Sequence, residues 1–390
     1  MIRPVRRSAD VQGQRATTLE LFYDLVFVFA ITRVSHSLLE HLTWVGVGQS
    51  VLVLLAVWWS WNYTTWATNE LDAESVPVRL LLMWLMLASL LMAIAIPEAF
   101  GERGLLFAAA YLAIQVSRHA FVAFAAADRG TPERERAARI LTWFLFAGVF
   151  WIAGGLAEGE MRVALWIVAL ALDYGAPLVF FWLPRRPHLG GRTWQVETGH
   201  FAERFGLFVI IALGETIITT GATTAELPLD GPTVLAFCLA FAGTAALWWL
   251  YFASIAELAE HALDEESTRT AMARDVYTYG HVLIVASIIL AALGDELVIA
   301  HPTHHLSTTH LWVAAGGPAL YLLSQAALRF RMARTVSVRS LAGVLGCLLV
   351  AVAGGHLPAV VVSALLVAIL VAVVVADLRD TRGAGKAVRA

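Results

Sequence analysis

Residues 357–376 read LPAVVVSALLVAILVAVVVA, a stretch of twenty residues without a charged side chain. A helix rises about 1.5 Å per residue, so a stretch of this length crosses the hydrocarbon core of a bilayer, which is about 30 Å thick. Toward the N-terminus, similar apolar stretches recur at 18–38, 46–67, 78–97, 104–127, 137–156, 161–184, 199–221, 231–256, 275–296, 311–329 and 339–355. The sequence therefore predicts an all-α, polytopic transmembrane helix bundle of about twelve helices, with the lipid bilayer as its surroundings.

Composition supports a membrane protein. Of the 390 residues, 59% are hydrophobic and 15% are charged, against about 45–50% and about 25% in soluble domains. The formal net charge of −3 argues against a nucleic-acid partner, because binding to phosphates requires a basic surface. Cys238 and Cys347 both lie in apolar stretches, so neither a disulfide framework nor a thiolate metal cluster is expected. No phosphate-binding loop or other cofactor motif is present, and no cofactor is predicted.

The distribution of basic residues predicts an orientation. Cytoplasmic connections of membrane proteins carry an excess of Lys and Arg. Of the 27 Lys and Arg residues, 22 fall in the termini and alternate connections on one side and two on the other, and Arg33, Arg118 and Arg204 fall inside predicted spans. We therefore expect both termini to be cytoplasmic. The first apolar stretch contains Glu20 and Asp24 and lacks a small-residue cleavage site, so it is predicted to be a retained first helix.

The two halves of the chain share short matches in the same order. These are Leu19–Phe22 with Ala202–Phe205, Trp58 and Trp59 with Trp248 and Trp249, and Tyr111 and Gln115 with Tyr321 and Gln325. The matches predict two six-helix repeats in parallel orientation, because six is even and the second half re-enters from the same side. The predicted segments are a cytoplasmic N-terminal segment (1–17), the repeats (18–192 and 193–378) and a cytoplasmic tail (379–390). Chance similarity between Leu-, Ala- and Val-rich helices is the alternative.

Charged residues within the predicted spans are the candidate site. A charge at the bilayer centre costs about 2.5–3.5 kcal/mol on insertion scales, so each one needs a partner, water or a place near the interface. The candidate pathway for an ion, proton or solute consists of the acidic residues Glu20, Asp24, Asp173, Glu203 and Glu215. The candidate counter-charges are Arg33, Arg118 and Arg204, and the candidate polar supports are Thr32, His36, His119, His200 and His281.

Two interpretations of these charges stay open. As structural bridges, Arg33 would pair with Glu215, and Arg118 or Arg204 would pair with Asp24, Glu20 or Glu203. As a functional site, the carboxylates would carry a cation or proton, and the arginines would tune them by proximity. We favour the functional interpretation because the groups are more numerous than bracing requires.

Two further features carry weaker signals. The aromatic clusters at 58–63 and 248–252 are predicted to form an interfacial belt, with a stacking wall for an organic solute as the alternative. An outer connection contains His301, His304 and His305, which could chelate zinc or nickel. Because this loop lacks spaced acidic or thiolate ligands, it is a weak metal signal, and no metal site is predicted.

The first apolar stretch also carries a family resemblance. Residues 19–31 read LELFYDLVFVFAI, which resembles the opening segment of the bacterial low temperature requirement A (LtrA) family. The run His200–Phe208, followed by Ala212–Glu215, is similar to the second signature of that family. The resemblance covers nearly the whole chain. It implies a multi-pass integral protein of the bacterial cytoplasmic (inner) membrane, in a family named for a cold-growth phenotype and not for a molecular activity.

A more distant resemblance is to potassium channels of the endolysosomal and bacterial type, whose first helix carries a Phe-Ser-Asp signature. Phe22, Tyr23 and Asp24 have similar spacing, but Tyr23 stands where that family has serine, and Thr18 stands where it has arginine. In the second half, Leu207 occupies the position equivalent to Asp24. A symmetric pore lined by matching aspartates is therefore not expected.

The function expected from these features is a transporter or permeation pathway for a small ion or solute. One alternative is an intramembrane enzyme that modifies lipid or isoprenoid, with His36, His119 or His281 as general base beside a carboxylate. The other is a structural or stress-related membrane protein without transport activity. An enzyme is the less favoured class.

Overall fold

The computed structural model describes residues 5–6, 15–187, 196–264 and 269–387. Within these ranges all regular secondary structure is helical. The segments are α1 (Thr18–Glu40), α2 (Trp44–Glu70), α3 (Val76–Glu98), α4 (Gly104–Ala126), α5 (Pro132–Leu156), α6 (Gly159–Gly175), α7 (Thr198–Ala225), α8 (Gly231–Leu263), α9 (Arg269–Ala300), α10 (Thr308–Ala333), α11 (Val338–His356) and α12 (Ala359–Ala387). The predicted all-α bundle is confirmed.

Eleven helices among the described residues are long and apolar enough to span a bilayer. The exception is α6, which has 17 residues and ends at Gly175, so the sixth stretch predicted at 161–184 is too long. Pro177 accounts for the early end, because proline has no backbone N–H and cannot donate the next helical hydrogen bond to the Asp173 carbonyl. Beyond it, Phe180 and Phe181 have φ values of 52° and 51°, in the left-handed region that no helix continues through.

Polar side chains mark where many of the helices begin. The side chains of Thr17, Thr43, Thr131 and Asp230 each accept a hydrogen bond from a backbone N–H of the first turn that follows. These caps satisfy N–H groups that have no partner within the helix.

The helices divide between two compact units. Unit 1 contains Met1–Phe205 and Leu263–Arg274, and unit 2 contains Gly206–Ala262 and Asp275–Ala390. The first two turns of α7 therefore belong to unit 1 and the rest of that helix to unit 2.

The core of unit 1 is aromatic. Trp58, Trp59 and Trp61 are at most 1% exposed, and the ring centroid of Trp59 lies 3.7 Å from that of Tyr174 in a stacked pair. The expectation that the 58–63 cluster forms an interfacial belt is therefore wrong. Residues 56–65 of α2 are all buried, so this part of the helix is surrounded by protein on every side.

In unit 2, α9 and α10 pack with their backbones in close approach. A Cβ atom added at Gly294 would lie 2.6 Å from Cα of Ala314, and one added at Gly317 would lie 2.4 Å from the backbone N of Ala291. Only glycine fits at these two positions, and small residues of this kind let membrane helices approach closely. The aromatic pair of this unit, Trp248 and Trp249, is 46% and 44% exposed, as expected for rings that face lipid.

Candidate functional site

The start of α1 and the start of α7 bring four predicted residues together in unit 1. Glu20 and Asp24 lie one turn apart on α1, and His200 and Arg204 lie one turn apart on α7. Residues four apart share a helix face, so each helix presents two side chains to the other. All four side chains are 0% exposed. We call these residues the charge cluster.

Arg204 joins the two acids of the charge cluster. Its Nη1 lies 3.0 Å from Oε1 of Glu20, and its Nη2 lies 2.6 Å from Oδ1 of Asp24. Nη1 also donates to Oγ1 of Thr68 at 3.3 Å. The planar guanidinium can hold two acceptors in fixed directions. Two carboxylates therefore share one positive charge.

Glu20 is surrounded by donors. Its Oε2 accepts hydrogen bonds from the backbone N–H and the hydroxyl of Thr17, both at 2.9 Å, and its Oε1 lies 3.0 Å from Nε2 of His200. The bonds with Thr17 form a capping box at the start of α1. These donors stabilise the ionised carboxylate. A hydrogen on a protonated Glu20 would have no acceptor among them.

Asn69 of α2 determines the tautomer of His200. Oδ1 of Asn69 accepts from the backbone N–H of Glu197 at 2.8 Å, and Nδ2 donates to the Glu197 carbonyl at 3.0 Å. These backbone partners place the amide Nδ2 toward the imidazole, 3.3 Å from Nδ1 of His200. Nδ1 is then an acceptor, and Nε2 carries the hydrogen that is donated to Glu20. In this arrangement His200 adds no positive charge.

Asp24 has one carboxylate oxygen with partners and one without. Oδ1 accepts from Nη2 of Arg204 and from Nε1 of Trp61, at 2.6 and 2.7 Å. Oδ2 is buried and has no hydrogen-bond partner in the part of the chain that the structure describes. An unsatisfied buried carboxylate oxygen is unfavourable. Oδ2 is therefore the carboxylate oxygen of the charge cluster that keeps a free acceptor position among the described residues.

Arg118 lies elsewhere in unit 1 and contacts neutral groups. Nη1 donates to the Ser60 carbonyl at 3.1 Å and to Oγ1 of Thr64 at 2.9 Å, Nη2 donates to Oε1 of Gln115, and the guanidinium lies over the ring of Tyr63. Of the two arginines expected to pair with the inner carboxylates, Arg204 does so. Within the described residues, Arg118 contacts no carboxylate.

Asp173 forms a separate buried site in unit 1. Its Oδ2 accepts from the Tyr111 hydroxyl at 2.6 Å and from Nε1 of Trp151 at 3.0 Å. Its Oδ1 is buried without a partner among the described residues, and no basic side chain there contacts it. Asp173 is thus a lone carboxylate held by two neutral donors, apart from the charge cluster.

The remaining predicted acids and their supports are dispersed. Glu203 is half-buried and accepts from the backbone N–H of Ala16 at 2.7 Å. Glu215 is 1% exposed in unit 2 and accepts from Thr219 at 3.0 Å. Arg33 is half-buried in unit 1, whereas Glu215 lies in unit 2. The pairing of these two residues stays a prediction. On the same helix as Arg33, Thr32 donates to the Val28 carbonyl.

The histidines predicted as general bases do not lie beside carboxylates within the described ranges. His36 is exposed. Nδ1 of His119 lies 2.9 Å from the Gln115 carbonyl, and Nε2 of His281 lies 2.8 Å from the Tyr251 hydroxyl. These contacts resemble those of packed core histidines, and they supply no acid–base pair.

The weak metal signal in the connection between α9 and α10 is not supported by geometry. His301, His304 and His305 are exposed, and the rings of the first two lie 5.7 Å apart between centroids. Among the described residues, no three or more His, Cys, Asp or Glu side chains converge as a metal site would require.

Several residues of the charge cluster's surroundings were not predicted. The Thr17-x-x-Glu20 spacing is a capping-box signature that can be recognised from the sequence alone. On α2, Trp61, Thr68 and Asn69 have the spacing of one helix face, which was a usable signal. Nothing local indicates that this face meets α1 and α7, because aromatic and polar residues also occur at membrane interfaces.

Comparison with known proteins agrees with the signature residues of α1 and α7. The model of the bacterial low temperature requirement A protein (LtrA) family matches residues 15–375. The chain belongs to the LtrA family. This LtrA-family chain is 43% identical over 320 residues to an uncharacterized protein of Rhizobium meliloti (strain 1021), covering 81% of this chain and 77% of that protein. No solved structure matches it. Family membership and the eleven candidate spans identify a multi-pass bacterial membrane protein.

Proposed function

We propose that this LtrA-family protein is a transporter or permeation pathway for a small ion, in which Asp24 binds the transported or coupled proton or monovalent cation. The observation that carries the proposal is the sharing of Arg204 by two fully buried carboxylates, one of which has an oxygen without a partner. We further propose that the protein lies in the inner membrane as two parallel six-helix repeats with both termini in the cytoplasm.

The charge balance of the cluster supports binding of one positive charge. Glu20 and Asp24 bring two negative charges, Arg204 brings one positive charge, and His200 is neutral in the tautomer that Asn69 imposes. A net charge buried away from water is costly, so one proton or cation at the cluster is favoured. Glu20 already has donors at both oxygens, whereas Oδ2 of Asp24 has none. The mobile charge is therefore assigned to Asp24, and Glu20 holds Arg204 and His200 in place.

The location of the cluster also supports a coupling between ion binding and the packing of α1 against α7. Its residues come from helices that begin 180 positions apart in the chain, and its bonds are charge-assisted and fully buried. Neutralising Asp24 would weaken its bond with Arg204 and so loosen the contact between the starts of α1 and α7. Ion binding and helix packing are thereby coupled, which transport requires.

A flux assay in proteoliposomes tests this function. The purified protein is reconstituted with a trapped pH-sensitive dye, and a potassium diffusion potential set with valinomycin drives proton entry. Na⁺ and K⁺ fluxes are measured in separate vesicles without valinomycin. We expect wild-type vesicles to exceed protein-free vesicles for at least one of the three ions. Asp24→Asn keeps the shape and the acceptor Oδ1, and we expect it to reduce that flux by about tenfold or more, which corresponds to a barrier higher by about 1.4 kcal/mol.

Two comparisons sharpen the assay. Glu102→Gln neutralises an exposed carboxylate in a connection of unit 1 and should leave the flux unchanged. Glu20→Gln should lower protein stability as well as flux, because Gln cannot accept every donor that surrounds Glu20. Wild-type rates equal to those of protein-free vesicles for all three ions, or full flux in Asp24→Asn, would contradict the proposal and favour the structural alternative.

A further inference from the structure

A small cavity in unit 2 lies among α8, α9, α10 and α12. Its volume is about 30 Å³, and most of its lining is apolar, from residues such as Leu247, Val298 and Leu366. A volume of about 10–15 Å³ accommodates one water, so the cavity can hold one small ion with at most a water. Two polar side chains line it, Asp295 and Ser363.

Asp295 is the only ionisable residue that lines this cavity within the described part of the chain. It lies in the C-terminal third of α9, and no basic side chain shares the cavity to balance its charge. Asp295 is half-buried, and an ionised carboxylate among apolar side chains is stabilised when a cation binds to it. Asp295 is not part of the charge cluster, which lies in unit 1.

Ser363 supplies a second oxygen. This side chain is 4% exposed and lines the cavity from α12. Neither Ser363 nor Asp295 has a hydrogen-bond partner among the residues that the structure describes, although most buried hydroxyls have one. Each is therefore available to a ligand in the cavity.

A third oxygen comes from the backbone of α10. Pro318 lies inside this helix and has no N–H, so the carbonyl of Ala314, four residues earlier, lacks its usual helical partner. Both Ala314 and Pro318 line the cavity. The close contact between Gly294 and Cα of Ala314 brings this part of α10 against the residue that precedes Asp295. The Ala314 carbonyl, which lacks an N–H partner at position 318, thus belongs to a segment of α10 that lines the same cavity as Asp295.

From these contacts we propose a binding site for a monovalent metal cation, Na⁺ in particular, formed by the carboxylate of Asp295, the hydroxyl of Ser363 and the carbonyl of Ala314. Oxygen ligands suit hard cations, and one carboxylate neutralises one positive charge. A divalent ion would leave an uncompensated charge in the apolar interior. The small volume favours a largely dehydrated ion. The proposal does not depend on transport, because a bound cation can serve structure alone.

Binding is tested on the purified full-length protein in detergent with Na⁺ itself as the probe. Equilibrium binding of radioactive ²²Na⁺ and thermal unfolding are measured in NaCl and in choline chloride of equal ionic strength. A ligand that binds the folded state raises the unfolding midpoint, and we expect a rise of about 2–4 °C in NaCl. Asp295→Asn should abolish both the bound ²²Na⁺ and this rise.

Two further variants separate ligation from folding. Ser363→Ala should weaken ²²Na⁺ binding. Pro318→Ala restores an N–H for the Ala314 carbonyl, so it should make α10 more regular and yet reduce Na⁺ binding. A merely structural role of Pro318 would leave Na⁺ binding unchanged. Glu226→Gln, which neutralises an exposed carboxylate of unit 2, is the control and should respond to Na⁺ as wild type does.

The proposal fails if ²²Na⁺ does not bind, or if Asp295→Asn retains the full response. Stabilisation by lower pH without any effect of Na⁺ would identify a proton as the occupant and would also overturn it. These outcomes are independent of the flux assay, because that assay depends on Asp24 and this one on Asp295.

Discussion

The hydroxyl groups of Tyr23 and Thr64 lie 2.8 Å apart in the interior of unit 1. Thr64 donates to the Ser60 carbonyl at 3.0 Å and accepts from Nη1 of Arg118 at 2.9 Å. Because Thr64 has used its hydrogen, Tyr23 donates to it. This link connects Arg118 to the residue that directly precedes Asp24, the partner of Arg204, so Arg118 and Arg204 belong to one polar interior.

Removing this link should be measurable as a loss of stability. Tyr23→Phe deletes one donor and should lower the free energy of unfolding by about 0.5–1.5 kcal/mol. Thr64→Val should cost about 1–3 kcal/mol, because the Tyr23 hydroxyl and Nη1 of Arg118 both lose an acceptor. Thermal unfolding in detergent measures the difference. Thr142→Val, at an exposed threonine of α5, is the matched control, and equal losses at both threonines would contradict the link.

The shared guanidinium makes a prediction about paired substitutions. Arg204→Gln leaves two buried carboxylates without a positive charge and should lower the free energy of unfolding by about 3–5 kcal/mol. Adding Asp24→Asn removes one of those charges and should restore part of the loss. A thermodynamic cycle over the two single variants and the double variant gives the coupling energy. Strictly additive losses would show that Arg204 and Asp24 do not interact.

Arg162 of α6 is expected to stabilise the fold, because it bonds to backbone carbonyls near the ends of several helices. Its side chain is 5% exposed, and Nε donates to the carbonyls of Gly154 and Ala157 at 3.2 and 3.0 Å. Nη1 donates to the carbonyls of Ala99 and Gly101 at 3.1 and 2.5 Å. Arg162→Met should lower the free energy of unfolding by about 2–3 kcal/mol, because buried carbonyls lose charge-assisted bonds.

Arg103 provides the comparison for Arg162. It is exposed and donates to one carbonyl, that of Ile94, at 3.0 Å. Arg103→Met should change stability by no more than about 0.5 kcal/mol, as is usual at the surface. If the two variants unfold at the same temperature, the carbonyl network of Arg162 is not a stabilising feature.

Asp230, which lies outside the spanning helices, is expected to make protein stability depend on pH. It is the N-cap of α8, and the hydrogen bond from the backbone N–H of Thr233 lowers the pKa of its carboxyl group below the ordinary value. Because the pKa is lower in the folded state than in the unfolded state, the charged cap stabilises the fold at pH values above the unfolded-state pKa. This contribution is lost as the pH falls through the folded-state pKa. Asp230→Ser keeps a capping oxygen that does not titrate. The stability advantage of wild type over this variant should therefore shrink on acidification, and thermal unfolding across a pH series tests it. An advantage that is constant with pH would show that the charge of Asp230 does not contribute.

The sequence predicted the helices well because hydropathy is a local property. Residues 357–376 must avoid water wherever their neighbours lie, and the same holds for the other apolar stretches. The early end of α6 was also readable in principle, since Pro177 stands within the predicted stretch. The family signatures at 19–31 and 200–208 likewise identified the segments that carry the charge cluster.

The sequence alone could not assign the partners of the charged residues. Arg118 and Arg204 look equivalent in hydropathy, yet among the described residues only Arg204 contacts the carboxylates. Arg103 and Arg162 both lie in or just after short connections between helices, yet Arg103 is exposed and Arg162 is buried. Helix periodicity states which side chains share a face, and packing between helices decides what that face meets. The long-range contacts of α1, α2 and α7 therefore determine that Asp24 has one oxygen without a partner, whereas the spanning helices themselves follow from the order of apolar residues.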